Sequence, residues 1–418
     1  MLNVLINAYG CSPSKGSEGG LGWMWVSHLA KYCRIHVIAE AQGKEDVQTY
    51  LPKFEYKNNV QFHFVDIGER ARKMCWNQGD WRFYYFYRKY QKKVYEIAKE
   101  LHREEHFDIV HHLNMICFRE PGYLWKLDNC KFVWGPIGGF TELPSSYLQL
   151  MPKKVAYKNH LKNAIRKTII KFGGHVKNAF NQADYLMAAS KNSSIAIKKY
   201  YYLDVPIVNE TGLEIKLIEE NKRDFKQPKL QIVWVGRFIA TKFLDLALKS
   251  LAKLDKNIEY EFHILGDGEN RDYFKKMANE LGVNDHCIWH GMIPRDEVQD
   301  ILEKSHLFFF TSLVEGTSHA VLEAIANKLP ILCFDTCGHG AIVNERMGIK
   351  IPVTNPDESI VKFAEIITDC YYNRERLEEC TRTTQEDLDQ LSWNSKAKKM
   401  VEVYESLVKR KVKGDGTR

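Results

Sequence analysis

The chain has 418 residues, 44% of them apolar and 27% charged, with a formal net charge of +7; it is long enough for two domains with full cores and ordinary in composition for a globular protein. No apolar run approaches the ~20 residues of a membrane-spanning helix, and the modest charge implies no nucleic-acid partner. The ten cysteines form no CxxC pair, and Cys333 and Cys337 are too isolated for a zinc site, so a disulfide-stapled scaffold is excluded and a reducing cytoplasm is expected.

Met1-Leu2-Asn3-Val4-Leu5-Ile6-Asn7 lacks a basic leader and a cleavage site, so it is expected to be a first strand (Val4–Ala8), not a signal peptide. The stretch after it, from Cys11 to Trp23, contains Gly16, Glu18, Gly19, Gly20 and Gly22. So many glycines cost backbone entropy, which predicts a loop lining a cleft. It is not a dinucleotide fingerprint, because Gly20-x-Gly22 would need a third glycine where Trp25 stands.

Further strands are predicted at Ile35–Ala39, Val60–Val65 and Ile109–Leu113. Between the last two lies an aromatic stretch of Trp76, Trp81, Phe83, Tyr84, Tyr85, Phe86 and Tyr87. The fourth strand carries His111 and His112. Adjacent strand residues point to opposite faces, so one of the two is expected to reach the cleft, and His112 is preferred. A strand at Phe132–Trp134 opens into a second glycine loop with Gly138 and Gly139, and Glu142 lies just beyond, as an acceptor contact or a solvated acid.

Lys153, Lys154, Lys158, Lys162, Arg166, Lys167, Lys171 and Lys177 follow with no acid between them, while Leu161, Ala164, Ile165, Thr168, Ile169 and Phe172 recur at helical spacing. This is a basic amphipathic helix. Together with the aromatic stretch it could dock on an anionic bilayer; the alternative is that its apolar stripe packs on the core and its lysines are solvated.

Strands at Tyr185–Ala189 and Ile207–Val208 precede a break at about 209–229, where Gly212, Pro228 and dense charge interrupt the pattern. A second series follows at Ile232–Val235, Glu261–Leu265, Ile288–His290, Leu307–Phe310 and Ile331–Phe334. Two such series predict two doubly wound, Rossmann-like parallel-sheet domains facing a central cleft, 1–210 and 211–389, with ligands beyond the carboxyl ends of the strands.

The second series carries motifs at its strand ends. Gly236 and Arg237 end one strand, and Lys242 follows; two cations beside a glycine suit a diphosphate. Gly266 sits in another strand-end turn, and Gly291 and Met292 place main-chain groups where a base could be read. Glu315 and Glu323 are eight positions apart, with Gly316 after the first. Glu315 is expected in a strand-to-helix turn, and Glu323 roughly two turns into the next helix.

The order Val235-Gly236-Arg237…Lys242, Gly266-Asp267-Gly268, His290-Gly291, Glu315-Gly316…Leu322-Glu323-Ala324 and Lys328-Leu329-Pro330 resembles the second half of family 4 glycosyltransferases, which are retaining and have the GT-B fold. The two glycine loops of the first half are similar to those of a bacterial subgroup associated with polysaccharide assembly. The resemblance implies that Arg237 and Lys242 grip the diphosphate of a nucleotide-sugar donor. Glu315 would touch the transferred sugar and Glu323 the ribose, with amides of Gly316, Thr317, Ser318 and His319 completing the phosphate site. Gly16, Gly19 and Gly20 would face the donor, and Glu18, His111, Gly138, Gly139 and Glu142 a glycan or lipid-linked acceptor; Arg237, Lys242, Glu315 and His112 are the catalytic candidates. The family usually has glycine after the lysine, where this chain has Phe243. A terminal helix in such enzymes crosses back to the first domain, which assigns 390–418 there.

No Asp-x-Asp motif stands at a strand end, and the cations can do a metal's electrostatic work, so no metal or other cofactor is expected. The expected location is cytoplasmic, peripheral on the inner face of the plasma membrane if the basic helix docks. Other GT-B reactions, such as nucleotide-sugar epimerisation or phosphorolysis, and a non-catalytic glycan-binding scaffold remain alternatives.

Overall fold

The computed structural model describes residues 1–76, 81–214 and 223–414. The first sheet contains β1 (Leu2–Asn7), β2 (Cys33–Glu40), β3 (Val60–Val65), β4 (Ile109–His112), β5 (Lys131–Ile137) and β6 (Tyr185–Ala188). The second contains β7 (Leu230–Val235), β8 (Tyr260–Leu265), β9 (Cys287–Gly291), β10 (Leu307–Phe310), β11 (Ile331–Phe334) and β12 (Gly348–Ile351). Their orders are β3-β2-β1-β4-β5-β6 and β12-β11-β10-β7-β8-β9, parallel throughout. Both are the same doubly wound order, which reverses at β1/β4 and again at β7/β10 and opens a crevice at each carboxyl end.

Helices cover both faces of each sheet, which is why central strands such as Leu307-Phe308-Phe309-Phe310 are apolar at every position and wholly buried. Two elements depart from the sequence reading. Ile207 makes only an isolated bridge to Ala188, and β12, with Gly348 and Lys350 in four residues, has too little pattern to be anticipated.

Three segments tie the two domains together. The terminal helix Trp393–Gly414 lies on the first domain: Ala397, Met400, Tyr404 and Leu407 join the core built on β1, β2 and the helix Ser17–Leu29. Conversely, Leu143, Tyr147, Leu148 and Met151 are buried in the second domain's core, and the Tyr147 hydroxyl lies 2.7 Å from Ser359 Oγ. The link after β6 runs beside the start of the terminal helix, with Leu213 bridged to Ser392. Among the described residues no helix is long and apolar enough to cross a membrane.

Candidate active site

Three strand ends of the second sheet form a ledge of main chain. The Gly236 amide donates to Leu265 O (3.0 Å), and the Gly266 amide donates to Gly291 O (2.9 Å). Gly266 has φ +127°, and a Cβ there would fall 2.0 Å from Gly236 O. No side chain fits, so the ledge stays bare and a planar ligand can approach its backbone. Met292, next to Gly291, is exposed at its rim, and Arg237 is exposed beside Gly236 with no side-chain partner among the described residues.

Lys242 ends a short 3-10 turn, Ala240–Lys242, and its Nζ pairs with Glu315 Oε1. The two side chains are only 17% and 16% exposed. Glu315 also accepts from Ser312 Oγ (2.8 Å), and the ammonium lies 5.7 Å from the Phe310 ring centre. Thus a cation and an acid more than seventy positions apart share one edge of the cleft. Phe243 takes the left-handed conformation, φ 51° and ψ 47°. The lysine needs a reversal of the chain here, and Phe243 makes it while packing its buried ring edge-on to Tyr147, centroids 5.7 Å apart.

Glu315 lies in the turn between β10 and the helix His319–Ala326. Gly316, Thr317 and Ser318 lead into that helix, so Glu323 sits one turn along it and not two, because the residues up to Ser318 stay outside the helix. The early amides of this helix have no intrahelical acceptor and make an anion cradle. Just ahead of the helix the Thr317 amide is already engaged: it donates to Glu210 Oε1 (3.1 Å). Glu323 lies 3.8 Å from Arg295 Nη2, and burial pushes its carboxyl up. The exposed His319 brings Nδ1 to 3.4 Å from Thr211 Oγ1.

In the first domain Gly16, with open space beside it, precedes the helix Ser17–Leu29 and supplies no side-chain cap. Gly19 faces Ser12, and a Cβ on Gly20 would fall 2.4 Å from Lys15 O. Glu18 Oε1 accepts from the Met115 amide (2.7 Å), and burial pushes its carboxyl up. Asn114 ties this loop to β4, donating from Nδ2 to Gly10 O (2.7 Å). Gly138 is pinned to the same region, its amide donating to Ile116 O (2.6 Å), and Gly139 has φ +84°. Glu142 faces Arg166 at 3.8 Å.

His111 and His112 point to opposite faces of β4, but both faces are covered, and both rings are buried. The His111 Nε2–H donates to Gly135 O (2.8 Å), so Nδ1 accepts from the Tyr404 hydroxyl (2.6 Å). His112 Nδ1 accepts from Asn7 Nδ2 (3.1 Å), and its Nε2 has no hydrogen-bond partner among the described residues. Burial pushes the two imidazoles down to about 4 and about 3, so both are neutral.

Glu210 and Lys396 escaped the sequence reading. Lys396 Nζ is buried against Asn209 O (2.9 Å), and Glu210 stands among Glu18, Glu315 and the Thr317 amide. Their only signal was an acid in the short Asn209-Glu210-Thr211-Gly212 junction.

The basic helix is Lys153–Phe172. It buries Arg166 and Ile170 and leaves Tyr157, Leu161, Ile165 and Phe172 exposed at 70%, 52%, 42% and 72%. Its apolar stripe therefore faces outward among exposed lysines. In the aromatic stretch Phe83 and Tyr87 are buried, while Trp81 and Tyr85 are exposed; the side chain of Trp76 lies outside the described residues.

Residues 216–386 match the family model of glycosyl transferases group 1. An uncharacterized glycosyltransferase of Methanocaldococcus jannaschii is 23% identical over 205 residues, 47% of this chain and 52% of that one. The chain spans about half the length of the curated relatives it matches. Among solved structures, the lipopolysaccharide outer core galactosyltransferase WaaB, in its apo form, gives a TM-score of 0.61 at 16% identity over 96% of this chain and 99% of that one. Anabaena HepE in complex with UDP and glucose gives 0.58 at 14% identity, over 97% and 100%. The fold is therefore GT-B, two Rossmann-like domains across a cleft, and the domain bearing Lys242, Glu315 and Glu323 is the part that matches the group 1 glycosyl transferases.

Proposed function

We propose that the chain is a retaining glycosyltransferase that moves a sugar from a nucleotide-diphosphate donor to a hydroxyl of a glycan or lipid-linked acceptor in cell-surface polysaccharide synthesis. The observation that carries this reading is the convergence of Lys242, Glu315 and the amides before His319 at one strand-to-helix turn, inside the matched segment. Arg237 and Lys242 stabilise the charge that grows on the departing diphosphate, and the helix amides take its oxygens. Glu315 orients the transferred sugar, Glu323 the ribose, and the glycine ledge ending at Met292 reads the base. Gly16, Gly19 and Gly20 face the donor, Glu18, Gly138 and Gly139 face the acceptor, and the leaving phosphate takes the acceptor's proton on the same face. The UDP and glucose bound to HepE, and the likeness to the lipopolysaccharide outer core galactosyltransferase WaaB, support the donor and acceptor classes.

Neither metal nor organic cofactor has a part in this scheme. Slow hydrolysis of UDP-glucose or another nucleotide sugar without acceptor is the test. Turnover undiminished by EDTA is expected; loss in EDTA with recovery in manganese refutes metal independence, and no turnover or thermal shift with any nucleotide sugar refutes the enzyme.

The outward stripe of the basic helix favours docking on an anionic bilayer. Co-sedimentation with phosphatidylglycerol vesicles at low salt is expected, lost in Leu161→Glu with Ile165→Glu; equal pelleting of wild type and variant refutes docking through this face.

A further inference from the structure

The nucleotide-sugar reading leaves one group in the cleft unassigned. Glu210 is held in the link between domains, where its carbonyl accepts from Trp25 Nε1 (2.9 Å). From there its side chain reaches the second domain, and Oε1 accepts from the Thr317 amide at 3.1 Å. It lies so close over the next glycine that a Cβ on Gly316 would fall 1.9 Å from Oε1. That amide, just ahead of the helix His319–Ala326, is one the donor's phosphate would take. The chain thus places an anion of its own where the ligand's anion belongs.

The groups facing Glu210 decide its charge. Glu18 on the helix Ser17–Leu29 and Glu315 on the cradle turn are both acids; Lys396 on the terminal helix is the facing cation, and His319 stands across from Thr211. Burial, then Glu18, push the Glu210 carboxyl up to about 7, against the pull of the Thr317 amide and Lys396. Burial pushes Lys396 itself down to about 7, so its opposing charge is partial. Ionised, Glu210 occupies the amide and repels a diphosphate. Neutral, it has a weaker hold on the amide and can donate to a phosphate oxygen.

We propose that Glu210 is a resident competitor for the donor-phosphate site, so that a nucleoside diphosphate enters only as this carboxylate takes up a proton and releases the Thr317 amide. The proposal rests on the reading of the cleft as a nucleotide-sugar site. Its test is the affinity for UDP, with GDP in parallel, of wild type and Glu210→Gln as a function of pH. If only the neutral form admits ligand, a carboxyl at about 7 weakens wild-type binding relative to the variant by roughly 30-fold at pH 8.5 and hardly at all at pH 6. The titration of the nucleotide itself cancels in the ratio.

A second measurement needs no variant. Calorimetry of the wild type at pH 8, in two buffers of different ionisation enthalpy, should read uptake of about one proton per UDP bound. Two parallel pH profiles, weaker binding by Glu210→Gln at pH 8.5, or no proton uptake would each overturn the proposal while leaving the cleft a nucleotide site. Failure of both nucleotides to bind at every pH would overturn the reading of the cleft and this proposal with it.

Discussion

At the scale of single residues, the site joins groups whose separate removal has separable effects. Arg237→Ala removes a cation with no side-chain partner among the described residues, whereas Lys242→Ala also leaves Glu315 without its ion pair. Each is expected to cost about 2–4 kcal/mol of transition-state stabilisation, read as kcat/KM; near-wild-type turnover in both defeats the assignment. Tyr404→Phe is a control of opposite kind. It removes the hydroxyl that His111 accepts from, deep under the terminal helix. It should lower unfolding stability by about 1–2 kcal/mol with little change in KM, and a large KM change with unchanged stability would place His111 in the acceptor site. The placing of Lys242 and Glu315 after strands of the second sheet was legible because each follows an apolar strand run at short spacing. Glu210 was not, because its role comes from where the link between domains delivers it, and one acid in a polar junction has no pattern. The burial of both histidines was equally hidden: alternation along β4 says that they diverge, not that each face is covered.

At the scale of elements, the ledge is the most demanding piece of backbone. Gly266→Ala places a methyl 2.0 Å from Gly236 O at φ +127°. The strand ends must part, and we expect a loss of at least ~2 kcal/mol in denaturant unfolding together with weaker UDP binding; a stability equal to wild type would show that the ledge gives way freely. Phe243 presents the opposite balance. Its left-handed backbone favours glycine, but its ring is buried against Tyr147. Phe243→Gly is therefore expected to lose about 2–4 kcal/mol, since a vacated aromatic site outweighs relief of ~1–2 kcal/mol of backbone strain; stabilisation would reverse that order. The apolar strands were readable from their pattern, and the return of the terminal helix to the first domain from the family resemblance. The edge strand β12 was not, because four residues with a glycine and a lysine carry no period.

At the scale of the whole molecule, acid should loosen the fold. His111, His112, His306 and His339 are held neutral by burial, at about 4, 3, 4 and 3. Unfolded, they take protons near 6.5. Their folded values are depressed, so the stability they confer is complete above about 6.5 and is lost as pH falls through 4 toward 3. Asp245, raised to about 6, and Glu210, Glu18, Glu120 and Glu323, all raised, act in the opposite direction, but burial also lowers His28, His36, His63, His175, His263, His290 and His319, so the imidazoles outnumber the acids and set the sign. Tm should fall steadily from pH 7 to pH 4, and a flat or rising curve contradicts this. The crossings between domains have a different consequence. Because Leu143, Tyr147, Leu148 and Met151 plug the second core while the terminal helix seals the first, the gene cannot be split at the link into two self-sufficient products. Each fragment made alone would carry a greasy stub and lack one it needs, so it should aggregate, and only co-expression would return a soluble, reassembled pair.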